Sequence, residues 1–217
     1  MPGESRRELR DALHDLRQPA SALRLYAEWL DDDRALADEL APKLLRAARA
    51  VEVMLDAALN LTRLDAGQGA LSSKPVDVRE LLCELEAQFE PLAAQKGLAL
   101  RARSLRTSVT ADPIVLRRIL GNLVSNAIRY TERGGVLLAA RRRGEAIGFE
   151  VWDTGVGIAE AEQARVFEDF YRAPPGAAGD GLGLGLAIVR RLAARAGWPV
   201  ALYSRPGRGT LVRLLVA

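Results

Sequence analysis

Two apolar series in the first third of the chain constrain its fold most tightly. Leu9, Leu13, Leu16, Ala20, Leu23, Ala27 and Leu30 form one; Leu40, Leu44, Ala47, Val51, Met54, Ala58 and Leu61 form the other. Each alternates steps of four and three, which keeps one stripe of a helix against a neighbouring helix. The first predicts a helix from about Ser5 to Leu30. Asp31-Asp32-Asp33 follows as a turn, since three acids would oppose the dipole at a helix C-terminus. The second predicts a helix from about Asp38 to Leu64, with Pro42 tolerated only in its first turn. Two such helices make an antiparallel hairpin whose seam is half uncovered. A homodimeric four-helix bundle would cover it; so would the rest of the chain.

His14 is the only histidine. It falls one position past Leu13, at the border of the seam, and Pro19 should bend the helix five residues later. A wet imidazole of near-neutral basicity is a competent nucleophile. A surface histidine without a role satisfies the same position.

Asp65-Ala66-Gly67-Gln68-Gly69 breaks the helical pattern, and polar residues continue to Pro75. The chain thus divides into a hairpin over residues 1–68 and a second domain over 73–217. In the second, Asp77 with Glu80 reads as a capping box for a helix to about Gln95, ended by Gly97. Strands are expected from Leu98 and from Ser108. Asp112-Pro113 opens a helix to about Tyr130. A hairpin of strands follows, then a short helix over Ala159–Phe167, a helix from Gly185 to Ala196, and two closing strands. That order makes an α/β sandwich, so the fold class is α plus α/β.

The net charge of +3 is slight and dispersed, which argues against nucleic acid; Arg141-Arg142-Arg143 reads as a solvated strand end. Cys83, the single cysteine, is expected to be a small buried hydrophobe, so no disulfide forms within the chain. No run of about 18 apolar residues occurs, so no direct membrane contact is expected from this segment. No secretory signal is visible.

Three stretches carry chemistry. On the helix after Asp112, Asn122, Asn126 and Arg129 make a narrow polar stripe beside an apolar face. Asparagine is a poor interior helix residue. Its neutral carbonyl can ligate Mg²⁺ already balanced by nucleotide phosphates, and a guanidinium one turn on can reach a phosphate. Hydrogen bonding of both amides to neighbouring backbone is the alternative. Asp153-Thr154-Gly155-Val156-Gly157 follows a strand; its carboxylate can accept from an exocyclic amine, and its glycines allow close approach of a base. Gly181-Leu182-Gly183-Leu184-Gly185-Leu186 leads into a helix whose N-terminus offers free N–H groups to phosphate. It matches neither a Walker A loop nor a dinucleotide fingerprint.

In order, the set is His14-Asp15-Leu16-Arg17-Gln18-Pro19, Asn122 to Thr131, Asp153 to Gly157, Phe167-Glu168-Asp169-Phe170-Tyr171-Arg172, and Gly181 to Leu186. It resembles the H, N, G1, F and G2 boxes of the sensor histidine kinases of two-component systems, over nearly the whole chain. The resemblance implies a dimeric four-helix bundle followed by a Bergerat-type ATP-binding sandwich. It implies phosphorylation of His14, with Asp15 as base or orienter of the second ring nitrogen. ATP and Mg²⁺ are the implied cofactors, with Asn126 and Asn122 holding the metal. Asp153 would read adenine beside Gly155 and Gly157. Arg129, Tyr130, Arg172, Gly181, Gly183 and Gly185 would line the nucleotide. The implied partners are a second copy of the chain and a response regulator receiver domain, in the cytoplasm or on the cytoplasmic side of a membrane-bound sensor. Two departures stand out. Gln18 occupies a position where the family commonly has Thr or Asn, so phosphatase activity depends on whether its longer amide can hold the attacking water. No sensory domain precedes His14, so either this is a catalytic-core fragment or the input comes from a separate region or protein. A nucleotide-binding scaffold, or another ATPase of the same fold without phosphotransfer, is the rival reading.

Overall fold

The computed structural model describes residues 20–21, 23–29, 40–41, 43–44, 47–48, 51, 71–168, 171, 173, 183 and 185–217. The chain forms two units, Met1–Ala70 and Leu71–Ala217. In the first, residues 20–21, 23–29, 40–41, 43–44, 47–48 and 51 are helical. Leu40 and Ala47 are buried, and Leu44 and Val51 half-buried, as the second four-three series requires. On the first series Leu23 is half-buried, whereas Ala20 and Ala27 are exposed in a single copy. Tyr26 and Trp29 meet edge to face, with ring centroids 6.0 Å apart.

The second unit begins with strand β1 (Lys74–Asp77), in a stretch the sequence reads as linker up to Pro75. Its pairing is non-local: β1 runs antiparallel to β3 (Ser108–Ala111), so the polar local sequence hides it. Between them lie helix α1 (Val78–Gln95) and β2 (Ala99–Arg103). Helix α2 (Pro113–Tyr130), β4 (Gly135–Arg143) and β5 (Ala146–Asp153) follow. Helix α3 (Gly185–Ala196), β6 (Val200–Ser204) and β7 (Thr210–Val216) close the chain. The main sheet has the order β2-β4-β5-β7-β6, with β2–β4 parallel and the other pairs antiparallel. Over Ala159–Phe167 the structure has two 3-10 turns, Glu160–Glu162 and Arg165–Phe167, instead of one helix. Gln163, between the two turns, donates to the carbonyls of Ile158 and Ser204, and the segment takes the short 3-10 form on either side of it.

Local chemistry sets the helix ends. Asp77 Oδ1 accepts from the Glu80 N–H at 2.9 Å and starts α1. Asp112 Oδ1 accepts from Ile114 and Val115 N–H at 3.0 and 3.1 Å and starts α2, with Pro113 at the first helical position. Both α1 and α3 stop in the same way. Gly97 and Gly197 adopt φ of +68°, and the following N–H groups of Leu98 and Trp198 return to the carbonyls of Ala93 and Ala193.

The three helices pack one face of the main sheet. Leu82, Leu85, Leu116, Ile119, Leu120, Phe149 and Leu214 are the heart of the core, each at most 1% exposed. Cys83 is exposed, contrary to the expectation of burial. Leu81, Leu82 and Leu85 define the inward stripe of α1, and a turn of about 100° from Leu82 carries residue 83 off it. The Arg141–Arg143 run is also more than a solvated end, because Arg141 and Arg143 converge on a buried carboxylate, Glu150.

Candidate functional site

Helix α2 buries Leu116, Ile119, Leu120, Leu123, Val124, Ala127 and Ile128. That burial fixes its rotation and leaves Asn122 and Asn126 half-buried at the edge of the core, with Arg129 exposed. The Asn122 amide nitrogen donates to the Arg118 carbonyl at 2.9 Å. Its own helix therefore uses the donor end, as the backbone alternative foresees, and its carbonyl oxygen makes no hydrogen bond shown among the described residues.

Asn126 faces the start of α3. A Cβ added to Gly185 would stand 2.9 Å from its amide nitrogen and 3.0 Å from its carbonyl oxygen. Glycine at 185 is what lets the helix N-terminus come down on that amide. Gly183, two residues earlier, has φ +73°. Asn126 and Gly185, 59 residues apart in the chain, thus meet in one wall.

The second group of candidate residues lies at the end of β5. Asp153 Oδ1 accepts from the N–H of Gly155 at 2.8 Å and from that of Thr210 at 3.1 Å. Both bonds fall on one oxygen, so Oδ2 is available to an amine. Burial pushes the Asp153 carboxyl up, the two backbone donors pull it partly back, and its pKa stands above the ordinary value. Gly155 and Gly157 serve the chain's own crossings. A Cβ at 155 would strike the Tyr130 carbonyl, and one at 157 (φ +69°) the Arg205 carbonyl. The Val156 N–H donates to the Tyr130 carbonyl at 3.2 Å, tying the loop to the end of α2. Tyr130 is half-buried there.

After this loop, Arg165 lies 4.1 Å from the Tyr171 ring centroid, a cation–π contact. Phe167 is half-buried in a turn that packs on α3. His14, Asp15, Gln18, Arg172 and Gly181 lie outside the described residues.

Two family models match the chain in tandem. Residues 4–67 match the His Kinase A phospho-acceptor domain. Residues 111–217 match the histidine kinase-, DNA gyrase B- and HSP90-like ATPase. The chain belongs to the sensor histidine kinases.

Its relatives agree. It is similar to the sensor-like histidine kinase SenX3 of Mycobacterium tuberculosis, at 35% identity over 208 residues, 93% of this chain and 51% of that one. It is 32% identical to the sensor protein kinase PmrB of Pseudomonas aeruginosa, over 86% of this chain and 40% of that one. The crystal structure of full-length ShkA in complex with AMPPNP superposes with a TM-score of 0.73 at 31% identity, over 97% of this chain and 45% of that one. The histidine kinase AdeS of Acinetobacter baumannii shares the fold, with a TM-score of 0.74 at 20% identity, over 94% of this chain and 97% of that one. The chain spans about half the length of the curated SenX3 relatives it matches.

Several residues that shape this histidine kinase core carry no local sequence signal. Lys96 Nζ donates to the carbonyls of Ile128, Arg129 and Thr131 at 2.9, 2.7 and 3.2 Å, closing the C-terminus of α2 from another element. Thr154 Oγ1 accepts from the Gly135 N–H at 3.0 Å and donates to the Arg133 carbonyl at 2.9 Å, joining the Asp153 loop to the turn after α2. Ser204 Oγ accepts from the Ile158 N–H at 2.8 Å, and Gln163 Nε2 donates to the carbonyls of Ile158 and Ser204. All but the Gln163–Ile158 bond are long-range pairs, which motif spacing does not display.

Proposed function

We propose that this chain binds ATP in the second unit, moves the γ-phosphoryl group to a ring nitrogen of His14, and passes it to an aspartate of a response regulator receiver domain. The observation that carries the nucleotide half is the seating of Gly185 on the Asn126 amide. It joins free helix N–H groups and a neutral oxygen ligand in one wall, suited to phosphates. Asp153 Oδ2 holds the adenine amine at the end of β5.

Mg²⁺ fits this donor set. Among the described residues no cluster of three His, Cys, Asp or Glu side chains occurs. Asn126, with Asn122 in support through its carbonyl oxygen, would therefore share the ion with phosphate oxygens. When bound, the ion neutralises phosphate charge. The chain's own parts do the rest. Arg129 and Arg172 offer guanidinium donors to phosphate, and Tyr130, Gly155, Gly157, Gly181 and Gly183 shape the walls. Asp15 orients or deprotonates the His14 ring, and Gln18 holds water for release of phosphate from the regulator.

The exposed Ala20 and Ala27 on the first apolar series support a second copy as the cover of the seam. Among the described residues no helix is long and apolar enough to cross a membrane. We place the chain in the cytoplasm or on the cytoplasmic side of a membrane-bound sensor.

Incubation with γ-labelled ATP and Mg²⁺ tests the proposal. A covalent label that is lost in acid and kept in base is the expected result, as for phosphohistidine. ATP turnover with no labelled protein would favour an ATPase without phosphotransfer, and tight nucleotide binding with neither would favour a scaffold.

A further inference from the structure

The face of the main sheet turned away from the helices is organised in two rows. Cross-strand register sets Arg101, Leu137, Trp152, Leu211 and Tyr203 side by side across all five strands. The adjoining row runs Arg103, Ala139, Glu150, Arg213 and Ala201. Neighbouring strands lie about 4.8 Å apart and the rows about 7 Å, so the pair covers a patch about 19 Å wide. Trp152 and Tyr203 are 40% and 53% exposed.

Glu150 stands at the centre of the face and is nevertheless fully buried. Its Oε1 accepts from Arg143 Nη2 at 2.7 Å and Arg213 Nε at 2.8 Å, its Oε2 from Trp152 Nε1 at 3.2 Å, and Arg141 Nε lies 3.7 Å from Oε2. Burial alone would push this carboxyl up; the donors outweigh burial and hold it below its ordinary value. One anion therefore fixes three cations. Arg213 also lies 5.4 Å from the Tyr203 ring centroid. With Arg101 and Arg103 the face carries five arginines against one carboxylate, and the five strands contain no lysine. Arg141 and Arg143 keep 55% and 41% of their side chains in solvent.

Guanidinium groups already held in place lose little freedom on binding, and their remaining N–H edges match carboxylates in bidentate fashion. Exposed Trp and Tyr beside Arg are the residues that dominate protein–protein interfaces. We propose that this face docks an acidic protein segment whose carboxylates lie beside apolar side chains. The carboxylates meet Arg141, Arg143 and Arg213, and the apolar side chains lie along Leu137, Trp152 and Tyr203. The two aromatic rings are separated by Leu211, so they offer no continuous stack for nucleotide bases.

The test uses the whole chain and four probes: a random copolymer of Glu and Tyr, poly-Glu, single-stranded oligo-dT, and vesicles containing phosphatidylserine. The copolymer should bind at micromolar concentration and more tightly than poly-Glu. Arg141→Glu should weaken it at least about tenfold, whereas Arg142→Glu, the same charge change on the alternate side of β4, should weaken it less than about twofold. Trp152→Ala should reduce binding of the copolymer more than binding of poly-Glu. Labelling with ATP should be unchanged in Arg141→Glu, which also reports that the variant folds. Equal losses from Arg141→Glu and Arg142→Glu would overturn the proposal in favour of bulk charge. Tighter, Arg141-dependent binding of oligo-dT or vesicles would overturn it in favour of those partners, and so would no copolymer binding at 100-fold excess over the chain.

Discussion

In the proposed function Asp153 serves binding at a cost in stability. Its carboxylate is partly stripped of water, and its raised pKa means that folding disfavours the charged form. The penalty is full above the folded-state pKa, shrinks as pH falls through it, and vanishes below the unfolded value. Asp153→Asn keeps an oxygen for the N–H groups of Gly155 and Thr210 and removes the charge. The variant should therefore unfold at the same or a higher temperature at neutral pH, with the advantage fading in acid. It should also bind ADP about tenfold or more weakly, because an amide donor would face the adenine amine. Thermal unfolding across pH and ADP titration measure the two effects; a stability loss at neutral pH with unchanged ADP affinity would remove Asp153 from the site. Wild-type ADP affinity should fall on acidification sooner than an ordinary aspartate would dictate. Gly185→Ala separates the same two quantities. Alanine suits a helix better than glycine by about 1 kcal/mol, yet its Cβ would press on Asn126. Nucleotide affinity should fall about tenfold while unfolding temperature holds; unchanged affinity would show that Asn126 does not hold nucleotide. At this scale Asp153 and the glycines were legible as residue types. Their partners were not: Thr210 is 57 positions from Asp153.

Among the elements, what local chemistry encodes was readable. Asp77 and Asp112 announced the starts of α1 and α2, and Gly97 and Gly197 the stops of α1 and α3. What depends on distant pairing was not. Strand β1 exists because β3 pairs with it, and Glu150 looked like one acid in an apolar strand. Lys96 belongs with these. It crosses from the end of α1 to three carbonyls at the end of α2, the segment that holds Arg129 and Tyr130. Helix C-termini favour such a cation. Lys96→Met should lower stability by about 1–2 kcal/mol and raise the KM for ATP several-fold with kcat within about twofold. Lys96→Arg, which can still donate to two carbonyls, should recover most of the KM. Equal losses in both variants, or a kcat effect alone, would separate Lys96 from nucleotide binding.

For the whole molecule, the four-three periodicity and the glycine-containing stretch at residues 65–69 point in the sequence to a helical unit followed by a sandwich. Neither feature could define the mutual arrangement of α2, α3 and β5, because the meeting of Asn126 with Gly185 and of Asp153 with Thr210 joins residues far apart in the chain. The account's central claim is that the two units divide the labour: the second binds ATP and the first carries the accepting His14. His14→Ala tests it most directly, with covalent labelling and ATP affinity measured on the same preparation. The account predicts labelling at background with a Kd within about threefold of wild type. Labelling that persists at the wild-type level, or an ATP affinity lost together with the label, would contradict it.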